Sequence, residues 1–107
     1  MSQATFYVLA ALLGERLHGY GIIKRVATLS GGSVKLTTGT LYGALDRLVG
    51  QGLVVADGEE EVDGRLRRYY RISDEGAEAV REEAARMRRA VRAVARGSRV
   101  TLEGRTR

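Results

Sequence analysis

Cysteine is absent from this 107-residue chain and histidine occurs once, at His18, so any chemistry must come from arginines, hydroxyls and carboxylates. Without cysteine there is no disulfide, no thiolate metal site and no cysteine nucleophile. A lone histidine cannot assemble a zinc centre. The carboxylates fall in one acidic stretch, Glu59-Glu60-Glu61 with Asp63, or at surface positions of helical segments. No second histidine and no cysteine stands near them to complete an acid–base or nucleophilic pair. The 14 glycines do not spell the G-x-G-x-x-G of a nucleotide-binding turn. No catalytic residue, metal ligand or cofactor is therefore expected. The acidic stretch reads as a solvated loop tip, and His18 as a turn or core histidine.

What remains is arginine chemistry. Arginine supplies 16 of the 18 cations, and its planar fork stays ionised and matches the geometry of a phosphate. The positions are uneven. Residues 1–80 hold 9 basic and 10 acidic groups, residues 81–107 hold 9 and 3, and the formal net charge of +5 thus lies in the last quarter. A polyanionic partner is one reading of this balance; a solvated, arginine-rich face is the other. The residues best placed to hold phosphate or a base edge are Lys35, Thr38, Thr40, Tyr42 and Arg47, around the start and body of one helical segment, and Arg65, Arg67 and Arg68, flanking a strand. Strand alternation sends Arg67 and Arg68 to opposite faces, so one of the two is expected to face the ligand.

Those residues have to be held by a small set of elements. Thr5–Leu13 is a dense apolar run closed by Gly14, which predicts a buried helix. Gly19–Leu29 places Tyr20, Ile23, Val26 and Ala27 at helical spacing, with Lys24 and Arg25 opposite, before Ser30-Gly31-Gly32-Ser33 interrupts. Thr37 offers a hydroxyl cap to a third helix carrying Leu41, Leu45 and Leu48, which ends at Gly50 and Gly52. Leu53–Ala56 and Arg67–Ile72 then read as two strands, joined by a long acidic, glycine-bounded loop over residues 57–64.

Ser73 can cap a last helix in which Ala77, Val80, Ala84, Met87, Val91 and Val94 follow a heptad seam. The arginines and glutamates around that seam flank it as solvated charge. A narrow stripe of this kind predicts pairing with a second copy, with Val80, Ala84, Met87, Val91 and Val94 at the interface. Gly97 is expected to end the helix. The division is therefore residues 1–73 as one domain, 74–96 as a dimerisation helix and 97–107 as a flexible basic tail. In that tail Arg99, Arg105 and Arg107 could add nonspecific affinity for a polyanion. The longest apolar run, Phe6–Leu13, is far short of a membrane span and lacks the flanks of a signal peptide, so a cytoplasmic protein with no membrane partner is expected.

Three helices, a hairpin and a long helix form the order of a mainly α (α+β) winged helix-turn-helix domain with a two-stranded wing and a dimerisation arm. In such domains the third helix enters the DNA major groove and the wing meets the backbone or minor groove. The residues go further. His18-Gly19-Tyr20-Gly21-Ile22-Ile23-Lys24 resembles the start of the second helix in PadR-type transcriptional regulators. Gly39-Thr40-Leu41-Tyr42, with Leu45, Arg47-Leu48 and Gly52-Leu53-Val54, is similar to their recognition helix. Arg67-Arg68-Tyr69-Tyr70-Arg71-Ile72-Ser73-Asp74-Glu75-Gly76 resembles their second wing strand and the turn that follows. Gly43 stands where the family commonly has proline, and the tryptophan that lines the drug pore of some short members has no counterpart here.

The resemblance, which runs from about Thr5 to Arg96, implies a homodimeric repressor on an inverted repeat of double-stranded DNA. It also implies that Tyr42 helps to hold that DNA, and that a small hydrophobic effector binds between the winged domains and the dimer helices. Two rivals share the scaffold: a protein-interaction module that does not touch DNA, and a nonspecific DNA-coating protein that relies on its basic tail.

Overall fold

The computed structural model describes residues 1–105. The first helix, α1 (Gln3–Ala11), begins two residues earlier than the apolar run, because Ser2 caps it by accepting the Thr5 N–H at 3.1 Å. It stops at Leu12, before Gly14, whose positive φ of 87° turns the chain toward a two-residue strand, β1 (Leu17–His18). Helix α2 (Gly19–Leu29) follows at once, then α3 (Thr38–Gly50). The wing is β2 (Val54–Val62) and β3 (Arg65–Ile72), and α4 spans Asp74–Arg105.

One core is shared by all of these elements. Val8 and Leu9 of α1 and Leu12, which caps its end, meet Ile22 and Val26 of α2, Leu41, Leu45 and Leu48 of α3, and Val54 and Tyr70 of the sheet. The face that α2 buries is set by Gly19, Ile22 and Val26, which leaves Tyr20 at 66% exposure, outside the core to which its spacing assigned it. Between α2 and α3 the chain is held by Ser30, whose hydroxyl accepts the Val34 N–H at 2.9 Å.

The sheet corrects the expected wing in two ways. It has three strands in the order β1-β3-β2, all antiparallel, with Leu17 opposite Tyr70 and His18 opposite Tyr69. Its hairpin is also longer and tighter than a loop over residues 57–64. The acidic stretch is strand, with Glu59 opposite Arg68, Glu60 opposite Arg67, Glu61 opposite Leu66 and Val62 opposite Arg65. The reversal needs only Asp63 and Gly64, with φ of 51° and 76°, the Asp-Gly pair whose positive φ values suit the twist of a hairpin. An irregularity between Ala56 and Glu59 absorbs Asp57 and Gly58. Opposite charges across the ladder make the acidic strand tolerable where isolated glutamates would not favour one.

The fourth helix does not end at Gly97. A single glycine costs only about 1 kcal/mol in a helix interior, and the flanking alanines and arginines carry the helix through it, with Thr101 donating to the Gly97 carbonyl at 3.0 Å. The expected loose tail is thus helical to Arg105. Arg107 and the side chain of Arg105 lie outside the described residues. At 32 residues α4 is about 48 Å long, and it accounts for the 69 Å long axis of a chain only 26 × 21 Å across. Val80 packs into the core, and Glu83 meets the Met1 amine at 2.8 Å. From Arg86 to Thr101 every residue is exposed. Among the described residues, no helix is long and apolar enough to cross a membrane.

Candidate nucleic-acid interface

The first turn of α2, one side of α3 and the wing border an open cleft of about 760 Å³. His18, Gly19 and Tyr20, then Tyr42, and from the wing Arg65, Arg67 and Arg68 all line it. Four of the eight residues singled out for phosphate or base contact therefore converge here. Lys35, Thr38, Thr40 and Arg47 are exposed but do not line the cleft.

Helix α3 presents Tyr42 because its buried side is fixed elsewhere. Leu41, Ala44, Leu45 and Leu48 face the core, which turns Thr38, Gly39, Tyr42, Gly43 and Asp46 outward. Thr37 caps the helix, accepting the Thr40 N–H at 3.2 Å and donating to the Thr40 hydroxyl at 2.9 Å. Thr40 is thereby engaged in the cap. Tyr42 is 36% exposed and its hydroxyl makes no hydrogen bond among the described residues; the ring runs across to the Gly19 backbone at the start of α2. Beneath it, burial pushes the Tyr70 phenol up, helped by the neighbouring Tyr42 and Asp46 and opposed by Arg68. At the same place α2 begins without a side-chain cap, so no capping side chain occupies the N–H groups of its first turn.

The wing is less basic than its arginines suggest. From Val54 to Ile72 it holds five carboxylates against four arginines. Arg68 Nε lies 3.4 Å from Glu59 Oε1, and both groups are more than half exposed. Arg65 and Arg67 form no ion pair among the described residues. Two groups that spacing did not reveal brace the base of the wing. The Arg16 guanidinium sits 4.3 Å over the Tyr69 ring and donates to the Asp57 carbonyl at 2.9 Å. The His18 ring meets the same tyrosine edge-on at 5.6 Å, while the Tyr69 hydroxyl donates to Glu60 at 2.9 Å. Burial, and then Arg67, hold the His18 imidazole below its usual range, with Glu60 pulling the other way. The only sequence signal for Arg16 would have been β1, which is too short to show a pattern.

The expected dimer seam divides in two. Val80, at 2% exposure, belongs to the chain's own core and is not free to meet a second copy; its place at the start of α4, under α1, decides this. Ala84 is half-buried, whereas Met87, Val91 and Val94 are 44%, 67% and 69% exposed and form an apolar stripe on the projecting arm.

Comparison with known proteins gives a consistent result. Residues 8–82 match the family model described as the transcriptional regulator PadR-like family. The chain is 34% identical over 90 residues to the transcriptional regulator Rv3488 of Mycobacterium tuberculosis, an alignment covering 84% of this chain and 77% of that one. The fold is similar to the crystal structure of a PadR family transcriptional regulator from Eggerthella lenta, with a TM-score of 0.69, 28% identity and coverage of 86% and 78% of the two chains. It is also similar to Bacillus subtilis PadR in complex with operator DNA, with a TM-score of 0.69 and 18% identity over 78% of this chain and 48% of that one.

Proposed function

Since the chain belongs to the PadR-like family of transcriptional regulators, we propose that it acts in the cytoplasm by binding operator DNA as a homodimer, and that it represses. The observation carrying this reading is the shared cleft: Tyr42 on the exposed side of α3 and Arg65, Arg67 and Arg68 on the wing border one concave surface. A helix in the major groove with a wing on the adjacent backbone is the docking that such a surface fits. Phosphates set the register through the arginines, the N–H groups at the start of α2 and the Tyr42 hydroxyl. The exposed side of α3 has few long side chains, so sequence preference draws on the shape of the duplex as well as on direct contacts.

The apolar arm supports the homodimer. Met87, Val91 and Val94 stand in water in the single chain, and a twin helix removes them from it. Two α3 helices then meet an inverted repeat in successive major grooves about 34 Å apart. A small hydrophobic effector seated between the winged domains and the paired helices would favour a spacing that no longer fits the grooves, and so release the operator.

The balance of charge on the wing favours a second reading, a winged module that docks on another regulator and leaves DNA alone. Mobility-shift titration of fragments upstream of the protein's own gene separates the two. Retardation of one fragment in preference to its neighbours, lost in a Tyr42→Ala/Arg68→Ala variant that remains dimeric, is expected. Absence of retardation at low salt would remove the DNA-binding reading.

A further inference from the structure

Gly19 and Tyr42 approach each other more closely than any residue with a side chain at position 19 would allow. A Cβ built on Gly19 would lie 2.5 Å from the Tyr42 hydroxyl oxygen and 3.1 Å from the ring carbon that carries it. Gly19 is buried and has no unusual φ, so glycine is not needed there for the backbone. It leaves room for a ring. Gly39 and Gly43 also flank Tyr42 on α3, but a Cβ at Gly39 would meet nothing within 4 Å, and one at Gly43 would only graze Arg47 at 4.0 Å. The constraint on Tyr42 thus comes from α2 across the cleft.

We propose that Gly19 is a positioning residue: the gap it leaves at the start of α2 seats the Tyr42 hydroxyl beside the first turn of that helix, and operator affinity depends on that placement. The proposal rests on the DNA-binding reading above. A side chain at position 19 meets the far end of a flexible side chain, which can swing aside, so the fold survives while the hydroxyl moves outward. Gly19 shares the buried face of α2 with Ile22 and Val26, but the three atoms nearest its Cβ position all belong to Tyr42, a residue 36% exposed, so the side chain that must give way is at the surface. The role is specific to the hydroxyl. Removing it with Tyr42→Phe leaves only the 3.1 Å ring contact, which a few tenths of an ångström of movement relieves.

The test is a double-mutant cycle on the full chain with Gly19→Ala, Tyr42→Phe and the two combined. All three should melt within a few degrees of the wild type. Gly19→Ala and Tyr42→Phe should each weaken binding to the retarded fragment by about tenfold, the scale of one lost hydrogen bond to a charged group. In the Tyr42→Phe background Gly19→Ala should cost nothing more. Full operator affinity in Gly19→Ala, or losses that multiply in the double variant, would overturn the proposal. A second arm needs no DNA: the Tyr42 ring resonances, assigned by their loss in Tyr42→Phe, should shift in Gly19→Ala. Unchanged resonances would also overturn it. A wild type that retards no fragment sinks the DNA-binding reading, while shifted resonances in the same sample would still uphold the Gly19–Tyr42 constraint.

Discussion

Ser73 Oγ donates to the Gly52 carbonyl at 2.6 Å, so one hydroxyl joins the turn that follows α3 to the residue that starts the arm α4. The same oxygen accepts the Gly76 N–H at 3.0 Å, capping α4, and the Ser73 N–H donates to the Leu53 carbonyl at 3.0 Å. A Cβ on Gly76 would fall 2.1 Å from the Leu53 carbonyl oxygen and 2.8 Å from Ile72. The start of α4 and the segment that follows α3 therefore meet backbone to backbone. A displacement of α4 is passed to the end of α3 with little compliance between.

That joint is testable through stability. Ser73→Ala removes a cap worth about 1 kcal/mol and leaves the Gly52 carbonyl without its donor. Gly76→Ala would gain about 1 kcal/mol of helix propensity at an open position. Here the Cβ meets backbone that cannot swing aside, and overpacking of about 1–3 kcal/mol outweighs the gain. Both variants should melt lower than the wild type at equal protein concentration, Gly76→Ala the more so. A Gly76→Ala protein as stable as the wild type would refute the packing argument.

Helical periodicity carried most of this architecture, and its failures have physical causes. The core positions of α3 were legible because Leu41, Leu45 and Leu48 bury one narrow face. Tyr20 was not, because an aromatic at helical spacing looks the same in sequence whether the tertiary neighbours stand on its side or on the other. The acidic strand was hidden because glutamates are poor strand formers alone, and only the arginines opposite supply a reason for Glu59 and Glu60 to extend. The seam on α4 marks a long C-terminal helix, which the structure has, but a heptad pattern cannot say where the helix leaves its own core. Val80 sits before that point and Met87 after it. The sequence singles out Tyr42 and the wing arginines by residue type and resemblance; that they border one cleft with Gly19 is a property of the fold alone.

Acid should loosen the base of the wing before it touches the carboxylates. Burial, and then Arg67, keep His18 below its ordinary value of 6.5 despite Glu60. The unfolded chain therefore takes up a proton at a pH where the folded chain does not. The stability this gives is intact above the unfolded-state value and is lost as pH falls through the lower folded-state value. Glu83, held low by hydrogen bonds from the Met1 amine and Arg86, yields only further down. Urea midpoints measured between about pH 5 and pH 8 should decline on the acid side in the wild type. His18→Gln should flatten that part of the curve. An unchanged slope in the variant would assign the proton elsewhere.

Glutamates on the wing should restrain DNA binding. Glu59 lies across from Arg68 at ion-pair distance, and Glu60 stands opposite Arg67 and accepts from Tyr69. Both Glu59→Gln and Glu60→Gln keep an acceptor oxygen and remove a charge that repels phosphate. Exposed pairs of this kind contribute about 0–1 kcal/mol to stability, so melting should hardly change. Affinity for the retarded fragment should rise, and the slope of log affinity against log salt should steepen by up to about 0.9 for each arginine released to a phosphate. Equal affinity and slope in the double variant would place these arginines off the duplex.

Charge on the projecting arm should separate assembly from folding. Met87 and Val91 are exposed in the single chain, so Met87→Glu or Val91→Glu costs a folded monomer little, within about 0.5 kcal/mol for surface positions. In a paired seam the same glutamates must be desolvated against their copies, which the thin valine and alanine stripe cannot compensate. Sedimentation should show the wild type as a dimer and either variant as a monomer with the helix content of the wild type. Operator affinity should then fall by about a hundredfold or more, because each winged domain binds its half-site without the other. Val80→Glu is the control that distinguishes core from seam: at 2% exposure a carboxylate there has no solvent, and the chain should lose its cooperative melt altogether. A Met87→Glu protein that still sediments as a dimer would move the interface away from this arm.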